Sequence, residues 1–331
     1  MQHSNWQTEL QQTIKDPVVL LKKLGLSKNK MQLPDEAVLS FPLRVPPGFA
    51  DRIKKSDSND PLLLQILPVS EEDNLQPHFS NDPLAEQKTQ PVPGLLHKYH
   101  GRALLIVTGA CAIHCRYCFR RHFPYADSNP VKNQWQKAID YLRQDTSIRE
   151  IILSGGDPLT LSDQRLSSLV HKLAEISHIK RLRIHTRMPI VLPDRIGNEI
   201  IQWLTGTRLQ PVMVVHANHA NELDNSVAKA IGKLREAHIP LLNQSVLLKG
   251  INDSAETLIN LSEALFNIGI IPYYLHMLDP VQGAAHFEVA TTRARQIMVE
   301  LRNNLPGYLV PRLVREYAGS PYKIPVELTI A

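Results

Sequence analysis

Short apolar runs of strand length alternate with longer amphipathic stretches along the chain from about residue 100 onwards. Each of six such runs is followed by a stretch whose apolar positions recur at helical spacing. Strand–helix units in series predict parallel strands joined by helical crossovers, which makes the fold class α/β and the architecture a partial TIM-like (β/α)6 barrel. The strands are predicted at residues 103–108, 150–153, 181–185, 212–216, 241–247 and 273–277, and the helices at 134–143, 162–176, 194–204, 224–237, 254–268 and 291–303.

The first 92 residues have a different pattern and predict an N-terminal, mainly helical accessory region, with the barrel occupying 93–331. Helices are predicted at 6–14, 17–24 and 35–41. Between about 51 and 95 the chain is rich in Asp, Pro, Asn and Gln and has little sustained periodicity, so we expect extended or looped structure there.

One predicted strand combines alternation with positive charge. In residues 179–187, Leu182, Ile184 and Thr186 fall on the face opposite the basic side chains. Such a strand suits a barrel wall with a ligand-bearing interior, and equally an edge strand with a solvated face. The basic face carries Arg181, Arg183, His185 and Arg187.

Composition adds limits rather than a function. The 331 residues are 43% hydrophobic and 21% charged, which is ordinary for a globular enzyme. The net charge of +5 is mild, so we expect no direct nucleic-acid partner. No apolar run approaches the roughly 18–20 residues that span a bilayer, and the N-terminus is polar. We therefore expect a cytoplasmic protein without a membrane partner.

All three cysteines, Cys111, Cys115 and Cys118, lie within eight residues, in the spacing C-x3-C-x2-C. An odd number so close together excludes a disulfide framework. Three thiolates on one loop can ligate three irons of a cubane cluster and leave the fourth iron open. The alternative is a Cys3His zinc site that uses His114 or His122.

The cysteine spacing, with Tyr117 before the third cysteine, resembles the radical S-adenosylmethionine (SAM) superfamily. The segment from Ser154 to Asp157, SGGD, follows the second predicted strand and resembles the glycine-rich SAM motif of that superfamily. Both segments follow predicted strands, where the active sites of TIM-like barrels lie. The resemblance implies a [4Fe–4S] cluster on the three cysteines, with SAM at its open iron.

Longer stretches resemble the lysine 2,3-aminomutase family in order over about residues 93–327. They are HKYHGRALLIVTGACAIHCRYCFRRHFPY, SGGDPL, RIHTRMPIVLPDRI, VVHANHANE, LLNQSVLLKGIND, PYYLHMLDPVQGAAHF and YLVPRLVREYAGSPYKIPVEL. The resemblance implies an isomerase that converts L-lysine to β-lysine by radical 1,2-amino migration and uses pyridoxal 5′-phosphate (PLP) besides SAM. It is closest to the short bacterial members, which implies a link to elongation factor P and its β-lysine ligase, and an electron donor such as flavodoxin.

The same resemblance assigns roles to individual residues. Lys323 matches the PLP-anchoring, catalytic lysine, and Arg120 matches the arginine that binds the substrate carboxylate. Asp279 and Glu316 match the carboxylates for the side-chain ammonium, and two carboxylates suit a cation and repel glutamate. The remaining matches are Tyr99 and Arg102 for PLP, and Ser154, Gly155, Gly156, Asp157, His216 and Gln244 for SAM, with Asn243 as a further cofactor contact.

The sequence departs from the longer family members in three ways. Their glycine run before the PLP lysine is replaced by residues 318–322, AGSPY, which predicts a stiffer loop. Glu316 replaces an Asp, so the pocket is about one methylene shallower and favours lysine or a slightly shorter cation. No cysteine follows Cys118, so we expect no C-terminal metal site, and the oligomeric state stays open.

Two other functions stay open at this point. One is a radical SAM enzyme without PLP that acts on a macromolecule, and the other is a zinc-binding, RNA-associated protein. PLP binding at Lys323 separates the first from an aminomutase, and the ratio of iron to zinc separates the second.

Overall fold

The computed structural model describes residues 5–27, 31, 33–34, 41–125 and 134–326. One nine-stranded sheet with its strands in sequence order forms an incomplete barrel. The six predicted strands are confirmed as β2 to β7, all parallel. The strands are β1 Leu95–Tyr99, β2 Arg102–Thr108, β3 Glu150–Gly155, β4 Arg181–Thr186, β5 Gln210–Val215, β6 Leu241–Val246, β7 Ile271–His276, β8 Arg312–Arg315 and β9 Ile324–Pro325.

Three strands were not predicted from the sequence. β8 is a seventh parallel strand, and β1 and β9 form antiparallel pairs at the two ends of the sheet. The four residues of β8 have an arginine at each end, so they show no apolar run of strand length. β9 has two residues and is defined only by its pairing with β8.

The predicted helices between the strands are present, with small shifts at their ends. Ser254 and Asp224 begin two of them by accepting backbone N–H groups with their side chains, as N-cap residues do. The described helices are α1 Asn5–Gln11, α2 Pro17–Leu24, α3 Pro47–Ala50, α4 Pro61–Leu64, α5 Gln134–Gln144, α6 Asp163–Ala174, α7 Met188–Val191, α8 Asn198–Thr205, α9 Asn225–Glu236, α10 Ala255–Asn267 and α11 Thr291–Asn304.

Two helix predictions were wrong in extent. The helix predicted at 194–204 begins only at Asn198, because Pro193 starts a separate short turn and Gly197 is extended. The helix predicted at 6–14 ends at Gln11, since the backbone of Ile14 pairs with Val45 instead. The helix predicted at 35–41 falls almost wholly outside the described residues. No helix in the described ranges is both long and apolar enough to cross a membrane.

The accessory region packs into the same hydrophobic core as the barrel. Trp6, Leu20 and Phe49 are buried in one continuous cluster with Leu105 and Ile184 of the sheet. Short helical turns at Ser70–Asp73 and Glu86–Thr89 interrupt the stretch expected to be looped. The domain boundary at 92/93 stays a prediction.

The strand with alternating basic residues is an inner wall of the barrel. β4 lies between β3 and β5, which excludes the edge-strand alternative. Leu182 and Ile184 are buried, whereas Arg183 and His185 line the central cavity.

Candidate active site

One cavity of about 1240 Å³ lies inside the barrel and reaches the carboxyl ends of the parallel strands. All residues to which the sequence assigned a cluster, SAM, PLP or substrate role line this cavity, except Asn243. These residues are Tyr99, Arg102, Cys111, Cys115, Cys118, Arg120, Ser154, Gly155, Gly156, Asp157, His216, Gln244, Asp279, Glu316 and Lys323.

The cysteine loop follows β2 and is held by the accessory region. The backbone N–H of His114 donates to Arg44 O at 3.0 Å, and that of Arg116 donates to Gln65 O at 2.9 Å. Within the loop, the N–H of Cys118 donates to Cys115 O at 3.0 Å. These bonds fix the backbone that carries the three thiols.

A buried carboxylate reinforces this attachment. Glu72 accepts from Nε of Arg116 at 2.7 Å and also pairs with Arg121, and all three side chains are buried. Arg121 donates onward to Gly283 O at 3.0 Å, beyond β7. The cysteine loop is therefore tied both to the accessory region and to the segment that follows β7.

The donor set fits a cubane cluster better than a single zinc ion. Within the described ranges, no three or more His, Cys, Asp or Glu side chains are arranged to hold one metal ion. A Cys3His zinc site needs such convergence, whereas a cubane offers each thiolate its own iron. Burial, and then Cys115, raise the pKa of the Cys118 thiol to about 11, so iron binding must release its proton.

Gly155, the last residue of β3, and Gly156, which follows it, allow that strand end to lie against the cysteine loop. A Cβ on Gly156 would lie 2.3 Å from Ala110 O, and one on Gly155 would lie 2.5 Å from Thr108 O. Gly155 also has a φ of +117°, which side chains disfavour. The resemblance to the glycine-rich SAM motif implies that these glycines contact SAM. The structure shows close approach to the backbone that leads into Cys111.

Asp157 has its carboxylate engaged within the protein. It accepts from the hydroxyl of Thr186 at 2.7 Å and from the backbone N–H groups of Leu159 at 3.0 Å and Arg187 at 2.7 Å. These bonds join the ends of β3 and β4. A SAM contact by Asp157 stays a prediction.

His216 and Gln244 both line the cavity, and their Nε2 atoms lie 3.1 Å apart. Burial, followed by the positive charge of Arg187, lowers the pKa of His216 to about 3, so the imidazole is neutral at physiological pH. Asn243 turns away from the cavity and hydrogen bonds to both backbone groups of Ala217. Asn243 therefore holds the backbone of Ala217 in place.

A chain of alternating charges crosses the cavity. Glu86 of the accessory region accepts two hydrogen bonds from Arg120, from Nε at 2.6 Å and Nη2 at 2.9 Å. Lys98 lies 3.2 Å from both Glu86 and Glu316, and Glu316 pairs with Lys323. The expected carboxylate-binding arginine and the expected ammonium site are thus two ends of one network.

The two carboxylates at the ammonium end differ in protonation. Burial alone would raise the pKa of Glu316, but Lys323 and Lys98 outweigh it and hold that pKa well below its usual range. Burial, and then the charge of Glu316, raise the pKa of Asp279 to about 7. Glu316 is therefore a permanent anion, whereas Asp279 ionises near neutral pH.

The residues predicted for PLP lie around the same end of the cavity. Lys323 directly precedes β9, and the β8–β9 pairing holds it opposite Glu316. The guanidinium of Arg102 lies 4.6 Å from the ring centre of Tyr99, and the Tyr99 hydroxyl bonds to Glu316. A primary amine, a cation for a phosphate and an aromatic ring together suit PLP.

The sequence missed three charged residues of this site, Glu86, Lys98 and Arg187, as site residues. Glu86 lies in a stretch expected to be looped, and Lys98 precedes the first predicted strand. Arg187 belonged to the alternating basic face but received no role. Each has partners far away in sequence, so no local pattern marks it.

Comparisons with known proteins agree with this geometry. The Radical SAM superfamily matches residues 105–261. The chain is 50% identical to L-lysine 2,3-aminomutase of Escherichia coli (strain K12), over 98% of this chain and 95% of that protein. It is 49% identical to the Haemophilus influenzae protein of that name, over 97% and 95%. It is also 36% identical to the one from Clostridium subterminale, over 98% and 78%.

Proposed function

The chain belongs to the L-lysine 2,3-aminomutase family of radical SAM enzymes, and we propose that its barrel cavity isomerises L-lysine to β-lysine. The observation that carries this proposal is the charge pattern of that cavity. Arg120 lies at one end, Asp279 and Glu316 lie with Lys323 at the other, and the three cysteines open into the same space. A substrate with a carboxylate and a distal ammonium matches this pattern.

The described residues fit the three cofactors of the family. Cys111, Cys115 and Cys118 would hold the [4Fe–4S] cluster, and Lys323 with Tyr99 would hold PLP. When bound, the reduced cluster with SAM supplies the radical that removes a hydrogen atom, and PLP supplies the π system through which the amino group migrates. The remaining assignments are Arg102 for PLP, and Ser154, Gly155, Gly156, Asp157, His216 and Gln244 for SAM.

Arg120 is prepared to orient the substrate carboxylate. Its guanidinium is fixed by Glu86 and donates from Nη1 to the Ser154 hydroxyl at 3.2 Å. Each Nη nitrogen carries two N–H groups, so donors remain for a carboxylate. A guanidinium held in place by a buried carboxylate loses little side-chain entropy on binding.

Asp279 and Glu316 select the side chain at the other end. Lys323 and Lys98 occupy Glu316, so a substrate ammonium that takes the place of Lys323 Nζ would meet both carboxylates. An anionic side chain there would lie against two acidic groups, of which only Glu316 keeps a cation, Lys98, beside it. We propose that this arrangement makes the enzyme select lysine over glutamate.

We also propose a place for the product. The chain spans 95% of the Escherichia coli and Haemophilus influenzae relatives and 78% of the Clostridium protein, so its length is that of the short members. The short bacterial members suggest that β-lysine is joined to elongation factor P by a ligase, with flavodoxin as an electron donor. Mass spectrometry of elongation factor P from cells without this enzyme tests the link.

The activity is tested by anaerobic incubation of the reconstituted protein with SAM, PLP, dithionite and L-lysine. We expect β-lysine to form, and L-glutamate to remain unchanged under the same conditions. Lys323→Ala should abolish the product and the absorbance of covalently bound PLP. The exposed Lys249 provides the matched control, since Lys249→Ala should change neither. Equal turnover of lysine and glutamate would contradict the assignment of the two carboxylates.

A further inference from the structure

Arg187 follows β4 directly and places its guanidinium against a cysteine of the cluster loop. Nη1 donates to Cys115 Sγ at 2.7 Å, across 72 positions of sequence. The side chain is buried and lines the same cavity as the three cysteines. Arg187 is not among the residues proposed to bind lysine, SAM or PLP.

The guanidinium is fixed from its other side. Nη2 donates to Glu222 Oε2 at 2.7 Å and to Gln65 Oε1 at 2.8 Å. Glu222 is fully buried, and its other oxygen accepts the backbone N–H groups of Asn218 at 2.8 Å and His219 at 3.1 Å. Arg187 therefore presents Nη1 to the sulfur from a rigid support.

A second buried arginine shows what a purely structural pair looks like in this chain. Arg195 is equally buried and pairs with Asp163 at 2.8 and 3.0 Å. Nε and Nη2 also donate to the carbonyls of Leu159 and Leu161. Arg187 differs because one nitrogen of its guanidinium, Nη1, donates to the sulfur of Cys115 in the cysteine loop.

We propose that Arg187 tunes the iron–sulfur cluster by donating a hydrogen bond to the Cys115 thiolate. The cluster takes one electron from an external reductant, and the added negative charge is shared with its thiolate ligands. A donor fixed at one thiolate stabilises the reduced form and raises the reduction potential. The inference rests on the proposed coordination by Cys115 and does not depend on the identity of the substrate.

Glu222 limits how far the charge of Arg187 acts. Because the carboxylate lies on the far side of the guanidinium, the pair has little net charge but directs its positive end at the sulfur. Without the negative charge of Glu222, the positive charge of Arg187 should act on the cluster at full strength, because charges interact strongly in a buried site. The reduction potential of the cluster should then rise further. Arg187 and Glu222 thus act on the cluster in opposite directions.

The test is a potentiometric titration of reconstituted protein without SAM or lysine, with dithionite as reductant and the reduced cluster measured by electron paramagnetic resonance. For Arg187→Gln we expect a more negative midpoint. At the wild-type midpoint, the ratio of reduced to oxidised cluster should fall roughly tenfold, as expected for loss of a charge-assisted hydrogen bond. Arg187→Lys should recover part of the shift.

Two further variants keep the outcome clear. Arg195→Gln should lower the melting temperature without moving the midpoint, because Arg195 has no contact with the cysteines. Glu222→Gln should move the midpoint to more positive values, and it tests the idea even if Arg187→Gln fails to fold. An Arg187→Gln protein with full iron and sulfide and an unchanged midpoint overturns the inference, as does an unshifted Glu222→Gln. If the wild type assembles no cluster, the proposed function itself fails.

Discussion

At the scale of single residues, Asp279 lies among the cavity's ionisable groups. Glu316 and Glu86 oppose its ionisation, whereas Lys323 and Lys98 favour it, and burial is the largest influence. The result is a pKa of about 7, above the ordinary value. Because this pKa is above that of the unfolded chain, ionising Asp279 weakens the fold as the pH rises towards and through 7. A bound cation offsets that cost.

Lysine binding should therefore strengthen with pH. About one-tenth of Asp279 is ionised one unit below its pKa, so we expect KM for lysine to fall roughly tenfold between pH 6 and pH 8. Steady-state kinetics across that range measures the effect. In Asp279→Asn the KM should be high and nearly independent of pH, with iron content unchanged. A wild-type KM that does not change between pH 6 and pH 8 would show that ionised Asp279 does not bind the lysine ammonium.

The site residues divide by whether a local signal marks them. Cys111, Cys115 and Cys118 stand out by their spacing alone, and Lys323 stands out only through its family context. Glu86 shows no such signal, because its partner Arg120 lies 34 positions away and only the fold brings them together. Long-range ion pairs cannot be predicted from periodicity.

At the scale of elements, the end of β3 and the cysteine loop are held at a distance that excludes a side chain. Gly156 is closest, with backbone atoms of Ala110 and Gly109 within 3 Å of a Cβ built on it. Those atoms belong to the backbone, so they cannot rotate away as a flexible side chain could. The spacing between β3 and the loop is therefore part of the cluster site.

Gly156→Ala should displace the cysteine loop. We expect a loss of about 1–3 kcal/mol in the free energy of unfolding, typical of overpacking, together with a reduced iron content. Gly232→Ala is the matched control, since Gly232 lies within α9 with no atom in reach of the added Cβ. It should gain about 0.5–1 kcal/mol from helix propensity and keep full iron. Full iron in Gly156→Ala would show that the loop tolerates the shift.

The sequence predicted those strands and helices in which the spacing of apolar residues is visible within the element itself. β2 to β7 and the long helices fall in this class, because each carries an apolar run or an apolar face that is buried in the barrel. β8 and β9 could not be predicted, since arginines flank the first and the second exists only as the partner of β8. α8 begins four residues later than predicted, because Pro193 and Gly197 interrupt the helix that the spacing of apolar residues predicts.

At the scale of the whole molecule, the accessory region is a support for the cluster loop. Its Glu72 neutralises two buried guanidinium groups, those of Arg116 and Arg121. Its Gln65 accepts from the backbone of Arg116 and from the side chain of Arg187. The cysteine loop thus depends on residues that precede the barrel in sequence.

Glu72→Gln tests this dependence. It leaves two buried arginines without their counter-ion, which should cost about 3–5 kcal/mol in the free energy of unfolding and loosen the cysteine loop. Thermal unfolding and iron retention measure the two effects. Its neighbour Glu71 is exposed, so Glu71→Gln should stay within about 0.5 kcal/mol of the wild type. Similar behaviour of the two variants would show that the cysteine loop does not depend on the charge of Glu72.

Among the described residues the sheet does not close through backbone hydrogen bonds, because β1 and β9 are its two ends. Lys98 at the end of β1 spans this seam to Glu316, which follows β8. Among the described residues, the contacts of Glu316 with Lys98 and Tyr99 join the two edges through side chains, and no backbone hydrogen bond pairs β1 with β9. The width of the barrel at this seam is therefore set by side-chain contacts and not by strand pairing.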